Sequence, residues 1–219
     1  MQANNLFIFI CLVWAGKAMS QPNDKNYLAL GDSYTIGEGV PELSRWPNQL
    51  ATLLSGNGKK IKTTIIATTG WRTDNLANAI QIAQLKNEYD LVSLLIGVNN
   101  QYQGRSVDEF SIEFEDLLKT AIHLAKGQIK NVFVVSIPDY GYTPFGEKRK
   151  EKISTAIDHF NFMAEKIAEK YGVLFIDITP ISREGLSKPD MIVADGLHPS
   201  EKMYALWVTK IAAELRKRR

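Results

Sequence analysis

Five residues spread along the chain are of the types that acyl transfer requires: Ser33, Gly70, Asn99, Asp195 and His198. Ser33 lies in the stretch YLALGDSYTIGEG, residues 27–39, where an apolar run stops at Gly31-Asp32. A strand that ends at a glycine and then offers a serine can lift a hydroxyl out of the sheet edge as a nucleophile. All three residues also favour turns, so by itself Gly31-Asp32-Ser33 could be only a strand-to-loop turn. A serine nucleophile needs a base, and His198 can take its proton. The histidine in turn needs a carboxylate to fix its tautomer and stabilise its positive form. Asp195, three residues earlier, can reach the second ring nitrogen without help from another element. The oxyanion of a tetrahedral intermediate needs donors, which the Ser33 N–H, the Gly70 N–H and the Asn99 side-chain amide could supply.

Each residue also has a plainer reading. His198 could be a buried structural histidine, and Asn99 could cap the segment that follows it. His123 and His159 fall within helical patterns and read as surface or packing residues. Asp32 adjoins the serine, where orienting His198 would be awkward, and reads as a turn former. Asp177 could help position the last loop and is left unassigned. Ser33 is not in a G-x-S-x-G elbow. No His/Cys/Asp/Glu set has metal-ligand spacing and no glycine-rich loop opens a helix in phosphate-binding form, so neither metal nor cofactor is expected.

The elements that must position these residues follow from periodicity. Residues 27–30, 61–67, 91–96, 131–137 and 173–178 are short apolar runs, rich in β-branched residues, that read as five strands buried on both faces. Between them, residues 42–54, 73–87, 107–125, 148–171 and 200–216 carry apolar residues at helical spacing. Asp74 and Ser200 suit first-turn or capping positions. Such alternation predicts an α/β fold, a parallel sheet with helices on both faces and right-handed crossovers. Sites in these sheets lie beyond the carboxyl ends of the strands. Ser33, Gly70 and Asn99 each follow a strand, and Asp195 and His198 precede the last helix. Trp71, Tyr140, Tyr142 and Phe145 lie in loops at the same edge and are candidate substrate-binding residues, although loop aromatics are as often simple packing.

Taken together, the loops resemble the four blocks of the SGNH hydrolases, the GDSL esterase and lipase superfamily. Gly31–Tyr34 is similar to the GDS(L) block, Gly70 to the second-block glycine, Gly97-x-Asn99 to the third block and Asp195-x-x-His198-Pro199 to the last. The resemblance runs from about residue 27 to 213 and implies a flavodoxin-like α/β/α sandwich that hydrolyses esters through an acyl-enzyme. Two positions depart from the pattern. Tyr34 replaces the common leucine, and Asn100 replaces the usual aspartate after the asparagine, which puts the rigidity of that loop in question.

Residues 6–14 form an apolar run too short to span a bilayer comfortably, followed by Ala18-Met19-Ser20 in a small-x-small pattern. They read as a secretory signal over residues 1–20, with one domain over 21–219 exported to the periplasm or the medium. No Lys or Arg precedes the run, so an uncleaved anchor is the other reading. The only cysteine, Cys11, lies inside this segment behind Ile10, where a lipid-anchor site wants a small residue. The exported chain would have neither disulfide nor thiolate. The full chain's formal charge of +2 falls by one with Lys17, too little to suggest nucleic acid, and the basic run 216–219 suits a helix end. Without a further membrane segment, the expected partner is a small-molecule or carbohydrate ester. The readings are an esterase of short acyl or lysophospholipid-like esters, a carbohydrate acetylesterase acting on acetylated polysaccharide, and a non-catalytic module that kept the fold.

Overall fold

The computed structural model describes residues 24–56 and 60–218. The expected signal segment, 1–20, lies outside them. In chain order the elements are β1 (Lys25–Gly31), α1 (Ser33–Ile36), α2 (Trp46–Leu54), β2 (Ile61–Ala67), α3 (Thr73–Ala83), β3 (Leu91–Leu95) and α4 (Val98–Tyr102). They continue with α5 (Val107–Leu124), β4 (Val132–Val135), α6 (Lys150–Lys170), β5 (Leu174–Ile176), α7 (Thr179–Ser182) and α8 (Glu201–Lys217).

The five strands form one parallel sheet in the order β2-β1-β3-β4-β5. β1 lies inside it, and Tyr27, Leu28, Ala29 and Leu30 are fully buried, which is why that run is apolar without alternation. Helices α2 and α8 pack on each other, while α3, α5 and α6 form the second helical layer. Large side chains such as Trp46, Phe110, Phe133 and Trp207 fill the space between layers.

Register brings the strand ends level. Gly31 pairs with Ala67 on one side and with Leu95 on the other. The chain leaves β1 for β2 on one side and then crosses to β3 on the other. Such a reversal opens a crevice beyond the carboxyl ends of β1 and β3. A Cβ at Gly31 would sit 2.4 Å from the Leu95 carbonyl oxygen and 2.2 Å from Thr35 Oγ1. Only glycine lets the chain turn there while β1 and β3 remain paired.

Element boundaries differ from the periodic reading where a local device intervenes. Residues 42–54 divide into a 3₁₀ turn, Glu42–Ser44, and the helix from Trp46. Pro47 has no N–H to give and is tolerated only in the first turn, so the helix starts there. The helix expected over 73–87 stops at Ala83 because Gln84 is left-handed, and Leu85 reaches the core from beyond the helix end. Ser106 and Ser200 cap α5 and α8 by accepting from Glu109 N and Met203 N.

Candidate active site

At the end of β1, Asp32 caps α1: its Oδ1 accepts from Tyr34 N at 3.1 Å. Ser33 is thereby the first residue of a short helix and is 5% exposed. Asp32 is fully buried and its Oδ2 has no partner. Desolvation is the main reason its pKa is pushed up to about 7, against hydrogen bonds from Tyr34 N–H and its own N–H. Its contacts are those of a turn former, as its place in the sequence suggests.

His198 and Asp195 meet as their spacing allows. His198 Nδ1 lies 2.7 Å from Asp195 Oδ2. Asp195 Oδ1 accepts from the backbone N–H of Leu197 at 2.8 Å and of His198 at 3.0 Å. Partial burial works against the Asp195 carboxylate. The hydrogen bonds from the His198 ring and from the two backbone N–H groups outweigh it and hold the pKa below the ordinary carboxylate value. With Nδ1–H committed to the carboxylate, Nε2 is the nitrogen that can accept a proton. The ring of Tyr34 stands edge-on to the imidazole at 5.8 Å.

The second and third loops are stitched together by adjacent asparagines on α4. Asn99 Nδ2 donates to the Trp71 carbonyl at 2.9 Å, which uses one of its two amide hydrogens. Asn100, 1% exposed, accepts from Thr73 N at 3.1 Å and donates to Thr73 Oγ1 at 2.6 Å. The Thr73 hydroxyl hydrogen goes to Glu113. An amide suits this place because it must give a hydrogen to Thr73, and a carboxylate has none to give. The departure from aspartate at position 100 therefore matches Glu113, and the loop is held rather than loosened. Asn100→Asp is expected to destabilise the fold by about 1–3 kcal/mol, because a buried acceptor at position 100 and the half-buried Glu113 would compete for one hydroxyl hydrogen. Thermal unfolding should show a Tm lower by about 2–4 °C per kcal/mol for a domain of this size. Glu113→Gln in the same chain should restore part of it; an unchanged Tm in Asn100→Asp would refute this reading of the loop.

A cleft of ≈ 180 Å³ opens at this rim, and Ser33, Gly70, Asn99 and His198 all line it. Gly70 has φ +83° and open space where a Cβ would point, so its backbone is accessible to a bound group. Tyr34, Thr69, Val98 and Leu197 contribute to the lining, as do the rings of Tyr102, Tyr140 and Phe145. Of the aromatic residues singled out in the sequence, Tyr140 and Phe145 reach the cleft, whereas Trp71 and Tyr142 are not among its lining residues. Trp71 packs half-buried against the core. The Tyr142 ring is drawn instead to Lys150 and Arg183, 5.2 and 5.8 Å from its centroid. Tyr102 was not singled out, yet it follows Asn99 by three residues, the spacing that puts two side chains on one helix face. His123 and His159 are exposed, and Asp177 accepts from Ser136 Oγ and Thr179 N. Among the described residues, no three His, Cys, Asp or Glu side chains gather as metal ligands, and no helix is long and apolar enough to cross a membrane.

The profile of the GDSL-like lipase/acylhydrolase family matches residues 29–206. The chain belongs to that family and is a carboxylic ester hydrolase. It is similar to an arylesterase of Vibrio mimicus, 28% identical over 216 residues that cover 96% of this chain and 94% of that one. Its fold is similar to that of a lipase/acylhydrolase from Enterococcus faecalis, with TM-score 0.67, 20% identity and coverage of 89% and 96%. It is also similar to that of the acetylxylan esterase Axe2 from Geobacillus stearothermophilus, with TM-score 0.68, 19% identity and coverage of 90% and 96%.

Proposed function

We propose that the chain is an exported serine esterase in which Ser33, His198 and Asp195 form a catalytic triad. The observation that carries this reading is the Asp195–His198 bond of 2.7 Å at a cleft that Ser33 also lines. The Ser33 hydroxyl attacks the ester carbonyl as His198 Nε2 takes its proton. Asp195 keeps the ring in the accepting tautomer and stabilises the imidazolium. The Ser33 N–H, the Gly70 N–H and the second hydrogen of Asn99 Nδ2 face the developing oxyanion. Collapse of the tetrahedral intermediate breaks the bond to the alcohol oxygen, which leaves with the proton from His198. Water, activated by the same imidazole, then releases the acid from Ser33. The test is hydrolysis of p-nitrophenyl acetate by the wild type and by Ser33→Ala; equal turnover would remove the serine from the reaction.

Asn99→Ala should lower kcat by about 10²–10³, the usual loss for one oxyanion donor, with KM little changed. Steady-state kinetics on an acetate ester would show it, and an unaltered kcat would take Asn99 out of the mechanism.

The small cleft and its apolar rings favour short or compact esters over long acyl chains. They also favour these over sugar esters, whose hydroxyl groups need polar partners. Export rests on the apolar segment 6–14 and the Ala18-Met19-Ser20 site. N-terminal sequencing of protein recovered outside the cytoplasm should begin near Gln21.

A further inference from the structure

We infer that Tyr102, Tyr140 and Phe145 form an aromatic wall that receives a flat apolar ring on the alcohol side of the ester. This rests on the serine-esterase reading and adds to it the part of the substrate that leaves. The three rings contact one another: the centroids of Tyr102 and Tyr140 are 6.1 Å apart, of Tyr102 and Phe145 6.1 Å, and of Tyr140 and Phe145 6.3 Å. Tyr140 is 4% exposed and forms the floor; Tyr102 and Phe145 are 52% and 45% exposed and form the sides. Large apolar side chains gathered at the mouth of a cleft mark a contact surface, whereas scattered ones do not.

The wall is held in place from behind. Tyr140 Oη donates to Gln101 Oε1 at 2.9 Å, and Gln101 belongs to the same helix as Asn99 and Tyr102. Asp139, 1% exposed, caps the turn that carries Tyr140 by accepting from Gly141 N, and Arg183 Nε bonds its other oxygen at 2.9 Å. Rings fixed in this way lose little further freedom when a ligand stacks on them.

Placement decides which half of the ester they meet. Phe145 N donates to the Gly196 carbonyl at 3.0 Å, so the wall is joined to the loop between Asp195 and His198. His198 must pass its proton to the departing alcohol oxygen, and the alcohol therefore lies on the histidine side. The cleft of ≈ 180 Å³ is slightly larger than the roughly 150 Å³ cavity known to hold benzene, and so has room for one ring. No Asp, Glu, Lys or Arg lines it, which suits a neutral group.

Benzyl acetate, ethyl acetate and methyl phenylacetate separate the possibilities. The first two differ by a ring on the alcohol side and have leaving alcohols of similar acidity; the third has its ring on the acyl side. The ratio of kcat/KM for benzyl over ethyl acetate should fall on the order of tenfold in Phe145→Ala, and further in the Tyr102→Ala, Phe145→Ala double variant. Tyr102→Phe should keep the wild-type ratio, because the ring and not the hydroxyl makes the contact. Circular dichroism and thermal unfolding report that each variant is folded. An unchanged ratio would overturn the wall, as would a larger loss on methyl phenylacetate than on benzyl acetate. Acetylated xylan cleaved in preference to benzyl acetate would also overturn it. Ser33→Ala, run in parallel, tells the two ideas apart: its full activity would end the serine-esterase reading, while its inactivity with an unchanged ratio would end the wall alone.

Discussion

Alanine at Ser33, at His198 or at both is expected to reduce kcat for an alkyl ester by a similar factor, on the order of 10⁶. The three variants should be nearly indistinguishable. Ser33 without a base is an ordinary alcohol, and His198 without the serine has no nucleophile to activate, so whichever is lost first removes the work of both. An alkyl ester is the informative substrate because its alcohol needs a proton to leave, which in the proposed mechanism His198 supplies. An activated phenyl ester leaves without it and would understate the histidine's part. What activity remains would come from the Gly70 and Asn99 donors acting on a water attack. If the double variant lost the sum of the two single effects, the residues would act independently and the triad would be wrong.

Asp195→Asn is expected to cost about 10⁴ in kcat while the fold is kept. Oδ1 of Asp195 accepts two backbone N–H groups, from Leu197 and His198. In the asparagine variant the amide oxygen must take that place. The reverse orientation would set an NH₂ against two donors and forfeit both hydrogen bonds, each worth about 0.5–1.5 kcal/mol. The NH₂ is then pointed at His198 Nδ1, which must accept, and the ring proton moves to Nε2. An imidazole with hydrogen on Nε2 cannot take the proton of Ser33. Asp195→Ala imposes no tautomer and should be no less active than the asparagine variant. Activity of Asp195→Asn within about tenfold of the wild type, in a steady-state assay of the same ester, would contradict the assignment of Asp195.

The architecture was legible because the inner strands β1, β3 and β4 are buried on both faces and read as largely apolar runs, while the edge strand β2 keeps Lys62, Thr63 and Thr64. The alternation with helices then placed Ser33, Gly70, Asn99 and His198 at one rim, and the strand order shows why: the chain reverses direction across the sheet beside β1. What could not be read was short or depended on direction. Helices α1 and α4, four and five residues long, are too brief to show a helical period, so the turn that sets Tyr102 beside Asn99 had no signal in hydrophobic spacing. A loop aromatic can be assigned to a rim but not to a side of it. Tyr142 turned to the cations of Lys150 and Arg183, and Trp71 contributes its carbonyl to Asn99. Asn100 could be seen as a departure from the pattern, but its reason lay in Glu113, thirteen residues on and on another helix.

In the proposed mechanism Ser33 Oγ becomes covalently bound to the substrate with help from His198. A p-nitrophenyl phosphonate ester tests it most directly, since attack on phosphorus expels p-nitrophenol and leaves an adduct that resists hydrolysis. Peptide mass mapping of the inactivated enzyme should place one phosphonyl group on Ser33, and His198→Ala should be labelled far more slowly. Complete inactivation with the group on another residue, or with Ser33 unmodified, would contradict the account.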